Sequence, residues 1–166
     1  LSNNSRVTNI VFAGLGGQGV LKASDIASDA AFRAGFDVKK SELHGMSQRG
    51  GSVTSDVRYG RQVLSPMVPP GEADYLVVIA PDQVEVNRWQ LREGGVLITP
   101  GMVDQKSLPN KKALNVALLG LLSARLDIPE EHWIEAIRAN LPENLHRANS
   151  AAFAIGRQAA RKETVS

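Results

Sequence analysis

Asn9-Ile10-Val11-Phe12-Ala13-Gly14-Leu15-Gly16-Gly17-Gln18-Gly19-Val20 is the stretch that decides how this chain folds. Residues 9–13 form a short apolar run rich in β-formers, and glycines follow at once, which is the pattern of a strand buried inside a sheet. Beyond the glycines, Val20, Ala23, Ala27, Ala30 and Ala34 recur at helical spacing. A strand, a glycine turn and a helix therefore follow one another without interruption.

The turn fits G-x-G-x-x-G in the strand-to-helix setting that phosphate cradling requires. Glycines let the backbone approach an anion closely, and the free N–H groups and dipole at the helix start favour negative charge. Gly14, Gly16, Gly17, Gln18 and Gly19 are thus candidate ligand-binding residues. The same glycines also permit a tight turn and close strand-to-helix packing with no ligand at all. A dinucleotide ribose asks for an acidic residue about 20 positions on. Only Glu42 stands there, with Lys39 and Lys40 just before it, which argues against NAD in its usual mode.

Outward from this unit, residues 37–41 are a second expected strand after the Gly35 stop, and residues 45–51 hold too many glycines for a regular element. Residues 52–59 alternate Val53, Ser55, Val57 and Tyr59 against Thr54, Asp56 and Arg58, the period of a strand with two unlike faces. Pro66, Pro69, Pro70 and Gly71 mark a long turn before residues 75–80 (YLVVIA), the strongest central-strand signal. A helix over residues 82–91 and a strand over 96–99 follow. Residues 116–126 (VALLGLLSARL) are apolar almost all round and should lie buried on the sheet. Pro129 opens a further helix with a stripe of Trp133, Ile134, Ile137 and Leu141, and Leu145, Ala148, Ala152, Ile155 and Ala159 repeat the pattern. The expectation is a single α/β domain over residues 9–161 with flexible termini. It would be a three-layer α/β/α, Rossmann-like fold with a mainly parallel sheet and a helical C-terminal part.

Composition narrows the function. Hydrophobic residues make up 43% and charged residues 22% of the chain, the balance of a globular protein. A formal charge of +2 is too small for bulk nucleic-acid binding. Between Arg33 and Arg61, six basic residues face three acidic ones, a local excess that would favour anionic ligands. With no cysteine, the chain has no thiolate nucleophile and no thiolate ligands for an iron–sulfur cluster. His44, His132 and His146 are far apart and in no metal-ligand spacing, so no metal site is expected. No apolar run approaches the roughly 20 residues of a membrane helix, and residues 1–8 lack a signal peptide's apolar core. A cytoplasmic protein with neither membrane nor nucleic-acid partners is expected.

The second chemical constellation is residues 41–52, SELHGMSQRGGS. Arg49 offers a planar fork of donors for carboxylate or phosphate, and Ser47 and Gln48 add neutral hydrogen bonds. A flexible solvated loop is the bland alternative, but this polar set interleaved with glycines is more specific than most loops.

GLGGQGV (residues 14–20) followed by SELHGMSQRGGSV (41–53) resembles the γ subunit or domain of the 2-oxoacid:ferredoxin oxidoreductases, most of all their indolepyruvate branch. LSPMVPPGEADYLV (64–77) and NVALLGLLS (115–123) agree. The resemblance implies a complex that cleaves a 2-oxoacid oxidatively to an acyl-CoA, carbon dioxide and reduced ferredoxin. Thiamine diphosphate, magnesium and iron–sulfur clusters would sit in partner subunits. This chain would dock on the thiamine-diphosphate subunit and help bind coenzyme A through the glycine turn and Ser47, Gln48 and Arg49. It would carry no catalytic residue and no tightly bound cofactor, and it would be inactive alone, where it has the option of forming a homodimer. The family usually has a longer passage than this chain has between Val96 and Asn115. Two rival readings stand beside it: an independent NAD(P)- or FAD-binding domain, and a structural scaffold whose glycines only permit close packing.

Overall fold

The computed structural model describes residues 6–44 and 50–164, with the backbone alone at His44. The elements are β1 (Thr8–Leu15), α1 (Val20–Arg33), β2 (Asp37–His44), β3 (Ser52–Gly60), β4 (Ala73–Val78), α2 (Val84–Asn87), β5 (Leu91–Ile98), α3 (Leu114–Ser123), α4 (Glu130–Asn140) and α5 (His146–Glu163). The strands form one sheet in the order β2-β3-β1-β4-β5. As the apolar runs require, β1 and β4 lie inside it.

The α/β class and the helical C-terminal part agree with the sequence, and the strand directions refine the expectation. β1, β4 and β5 run parallel, whereas β3 pairs antiparallel with both β1 and β2, so the sheet is mixed rather than mainly parallel. The link over residues 45–51 is too short for the crossover of a dozen or more residues that a parallel neighbour needs. β3 therefore returns as the second arm of a hairpin and inserts itself between β2 and β1.

The pleat sends alternate residues to opposite faces. Ile10, Phe12, Val57, Tyr59, Val77 and Ile79 join α1, α3, α4 and α5 in the main core. α3 is buried along most of its length, and the rings of Trp133 on α4 and Phe153 on α5 stack beyond it at 6.0 Å. On the other face Val11, Ala13, Ala73, Leu76 and Val78 form a small cluster covered by Val68, Val84, Leu91 and Leu97. The third layer is thus thin, made of irregular segments and the single turn of α2.

Two elements differ from their expected form. The helix expected over 82–91 is only α2, flanked by 3-10 turns at Pro81–Gln83 and Arg88–Gln90. Asn87 lends its side-chain amide to the Gln83 carbonyl at 2.8 Å, competing with the backbone ladder there. The strand expected at 96–99 starts earlier, at Leu91, and runs through Gly94 and Gly95. A Cβ at Gly95 would lie 3.0 Å from the Ala73 carbonyl, beside an irregularity in the β4–β5 register.

Asp56 on β3 holds residues 61–72 over the thin face by accepting the Val68 N–H at 2.9 Å. Burial pushes its pKa above the ordinary carboxylate value, outweighing the Val68 bond and the Arg58 charge, both of which pull it down. Its ionised form is therefore disfavoured in the fold, a penalty absent at low pH that grows as pH rises through the raised folded value. Asp56→Asn keeps an acceptor for Val68 and removes the charge, so its melting temperature should exceed wild type at pH 7. The gap should close as the pH is lowered through the carboxylate range. A variant no more stable than wild type at pH 7 would refute this.

Candidate functional site

The glycine turn leaves the C-terminal end of β1 and enters α1, and the fold assigns each of its residues a different task. Gly14 is buried, and a Cβ there would lie 2.8 Å from Val20 Cγ2, so it serves strand-to-helix packing. Gln18 turns its side chain inward, where Oε1 accepts the Leu15 N–H at 2.8 Å. Its role is to brace the turn. Gly17 and Gly19 adopt the left-handed region at φ 87° and 82°, as residues without a Cβ can at little cost. Gly17 is open, with no described residue beyond its chain neighbours within 4 Å of where its Cβ would stand.

Gly16 joins the two sequence motifs. Its N–H donates to the Gly51 carbonyl at 2.9 Å, and a Cβ on it would lie 3.2 Å from the Gly50 nitrogen. The end of the 45–51 loop therefore meets the glycine turn at the edge where β1 ends, the edge at which ligands bind in open α/β sheets. Ser47, Gln48 and Arg49 lie outside the described residues, so the fold relates only Gly50 and Gly51 of that loop to the turn.

Asn115 and Gln83, missed in the sequence, complete the frame together with Ser52, the last residue of the 41–52 constellation. Asn115, the first residue of NVALLGLLS, is 7% exposed and donates from Nδ2 to the Gly19 carbonyl at 3.1 Å. This brings the start of α3, preceded by exposed Lys111 and Lys112, to the start of α1. Ser52 at the foot of the loop donates to Gln83 Oε1 at 2.8 Å, and Gln83 is itself held by Asn87. Such partners lie tens of residues apart in sequence, and only the position of Asn115 within a family-like stretch hinted at it.

The arrangement suits an anion. The first-turn amides of α1 lack intrahelical partners by helix geometry, and no acidic side chain occupies the first turn of α1 or α3. The basic excess between Arg33 and Arg61 contributes less than its count suggests. Arg33 pairs with Asp29 and Glu135, Lys40 with Asp25 and Glu42, and Arg58 bonds Asn9 and Ser65. Burial works to lower the Lys40 pKa, but the bonds to Asp25 and Glu42 prevail and raise it.

The same facts weigh against dinucleotide binding. Glu42 lies on β2, which β3 separates from β1, and its carboxylate is 2.6 Å from Lys40 Nζ. It is two strands away from where a ribose bound at the glycine turn would need it. Among the described residues no group of three or more His, Asp or Glu is placed to hold a metal. Nor is any helix long and apolar enough to cross a membrane.

Residues 9–109 match the family model of pyruvate ferredoxin/flavodoxin oxidoreductase. The chain is 34% identical to indolepyruvate oxidoreductase subunit IorB of Thermococcus kodakarensis, over 93% of this chain and 96% of that one. The alignment spans 196 residues, more than the 166 here, so the relative carries residues without a counterpart in this chain. Among solved structures, the γ subunit of a keto/oxoacid ferredoxin oxidoreductase from Geobacter sulfurreducens shares the fold with a TM-score of 0.80. It is 23% identical, over 93% of this chain and 99% of that one. The 2-oxoglutarate:ferredoxin oxidoreductase of Magnetococcus marinus, solved with 2-oxoglutarate, coenzyme A and succinyl-CoA bound, matches with a TM-score of 0.82 at 20% identity. There the likeness covers 95% of this chain but 31% of the other, a longer polypeptide.

Proposed function

This chain belongs to the pyruvate ferredoxin/flavodoxin oxidoreductase family as a γ-type subunit of a 2-oxoacid:ferredoxin oxidoreductase, and from that premise we propose that its enzyme oxidises an arylpyruvate such as indolepyruvate and that this subunit helps hold coenzyme A. The substrate reading is supported by the 34% identity to an indolepyruvate oxidoreductase subunit. The coenzyme A reading is carried by one observation: Gly16 is bonded to Gly51, so both motif loops meet beside the first turn of α1 while Gly17 stays open.

In this reading the amides of Gly17 and of residues 19–22 receive a phosphate group of coenzyme A, and Arg49 adds a charge-assisted bond from the neighbouring loop. Lys111 and Lys112 supply further positive charge at the start of α3. Coenzyme A, when bound, supplies the thiol that accepts the acyl group. The chain itself binds and orients. It has no cysteine to hold a cluster, and decarboxylation and electron transfer fall to cofactors on partner chains in the cytoplasm, with ferredoxin taking the electrons.

The test is reconstitution of the complex with wild-type or Arg49→Lys subunit, followed by arylpyruvate-dependent ferredoxin reduction across a range of coenzyme A concentrations. Lysine keeps the charge and loses the fork, so KM for coenzyme A should rise about 10-fold with the fold intact. Wild-type behaviour of the variant in complex stability, coenzyme A dependence and turnover would remove the loop's role. Titration of the isolated subunit with NADH serves as the counter-test, since tight binding would favour a dinucleotide domain instead.

A further inference from the structure

All four long helices pack on one face of the sheet, and the opposite face is roofed by residues 61–72 and 81–90. Both segments are anchored by their inward sides. Val68 and Val84 pack on the cluster around Val11 and Leu76. Val68 N–H donates to Asp56, and the Arg58 guanidinium donates to the Ser65 carbonyl and hydroxyl at 2.8 and 2.9 Å. The segments adjoin, since a Cβ on Gly71 would lie 3.8 Å from the Trp89 carbonyl.

Four of the outward side chains are large and apolar. Leu64 is 84% exposed, Met67 62%, Val86 56% and Trp89 62%, and these are four of the six large exposed hydrophobics among the described residues. Isolated exposed apolar residues are ordinary, but four concentrated on two adjoining segments, one of them tryptophan, mark a surface made to be covered. Pro66, Pro69 and Pro70 stiffen the first segment, which lowers the entropy lost when it is covered.

We infer that this helix-poor face is the surface by which the subunit seats on a larger subunit of its own enzyme, against an apolar and uncharged area of that subunit. The inference rests on the reading of the chain as a subunit and adds the surface and the chemistry of its partner. Charge selects the occupant. Glu85 and Arg88, on either side of Val86 and Asn87, neutralise each other at 2.8 Å, and the other exposed charges of the two segments, Arg61, Glu72 and Asp82, are of both signs, so the patch has no surplus of positive charge with which to draw nucleic acid, an acidic peptide or a lipid headgroup. In the Magnetococcus marinus chain this fold is 31% of one polypeptide, so a domain of this fold occurs there together with further chain of its own enzyme. The patch also connects to the candidate site. Gln90 donates to Asn87, Asn87 to Gln83, and Gln83 receives Ser52 at the foot of the 45–51 loop, each bond 2.8 Å. Seating on residues 84–90 therefore bears on the base of that loop.

The experiment co-expresses the subunit with the larger subunits and measures the affinity of the complex for wild type, the pair Leu64→Glu with Trp89→Glu, Trp89→Ala alone, and Phe32→Glu on the helical face. All three positions are exposed, so the melting temperature of the isolated subunit should stay at the wild-type value. The double variant should lose about 100-fold in affinity and Trp89→Ala about 10-fold, with Phe32→Glu unchanged. If the double variant misfolds, Trp89→Ala decides. Wild-type affinity in folded patch variants, or a loss with Phe32→Glu instead, overturns the inference. Loss of self-association alone, with the larger complex intact, assigns the face to a second copy and overturns it too. Failure of the wild-type chain to assemble would sink the subunit reading itself.

Discussion

Gly156→Ala is expected to cost the subunit on the order of 3 kcal/mol or more, or to prevent folding outright. α5 crosses α3 at Gly120 and Gly156, where each glycine's missing Cβ would stand 2.9 Å from the other's Cα. A Cβ on Gly156 would overlap the Ala117 carbonyl, and one on Gly120 would overlap that of Phe153. Both obstacles are backbone, so no rotamer change relieves them. The helices would have to separate, loosening the core that holds Phe153 and Trp133. Alanine's better helix propensity returns only about 1 kcal/mol, so packing decides the sign. Urea unfolding of the isolated subunit measures the loss, and a value below about 1 kcal/mol would contradict the crossing as described.

Gly17→Ala should have its large effect on coenzyme A instead. At φ 87° an alanine suffers about 1–2 kcal/mol of backbone strain. With no atom of a described residue beyond its chain neighbours within 4 Å of the new methyl, packing against them adds nothing, and the subunit should remain folded and assembled. The methyl would project into the space where an anion must approach the backbone. In the reconstituted complex, KM for coenzyme A should rise by 10-fold or more while kcat changes little. Gly19→Ala is the contrasting case, because its Cβ would collide with the Asn115 amide and disturb both helix starts. A Gly17→Ala enzyme with unchanged KM would leave the turn with a packing role only.

Much of the fold was legible in residues 9–20 and in the apolar runs at 75–80 and 116–126, because burial on both faces leaves no room for polar alternation. That the helix expected over 82–91 shrinks to the single turn of α2 was not legible, since Asn87 bonds a carbonyl four residues back and the pattern of apolar residues does not register that competition. The candidate site divides in the same way. G-x-G-x-x-G is visible as glycines, but that Gly14 packs, Gln18 braces and Gly17 stays open depends on what stands opposite each of them.

The α/β class, the strand-turn-helix unit with its anion-favouring helix start, the absence of cysteine ligands and the family resemblance all follow from the order of the residues alone. These are properties of consecutive residues: period, glycine content and side-chain inventory. The folded chain is needed to see that β3 inserts between β2 and β1, carrying Glu42 away from the turn, and that four long helices share one face while Leu64, Met67, Val86 and Trp89 remain outward on the other. Hairpin return, strand insertion and the Gly16–Gly51, Gly19–Asn115 and Ser52–Gln83 contacts are long-range choices. Their energy comes from partners that meet only when the chain has closed its loops, so no local run of residues encodes them.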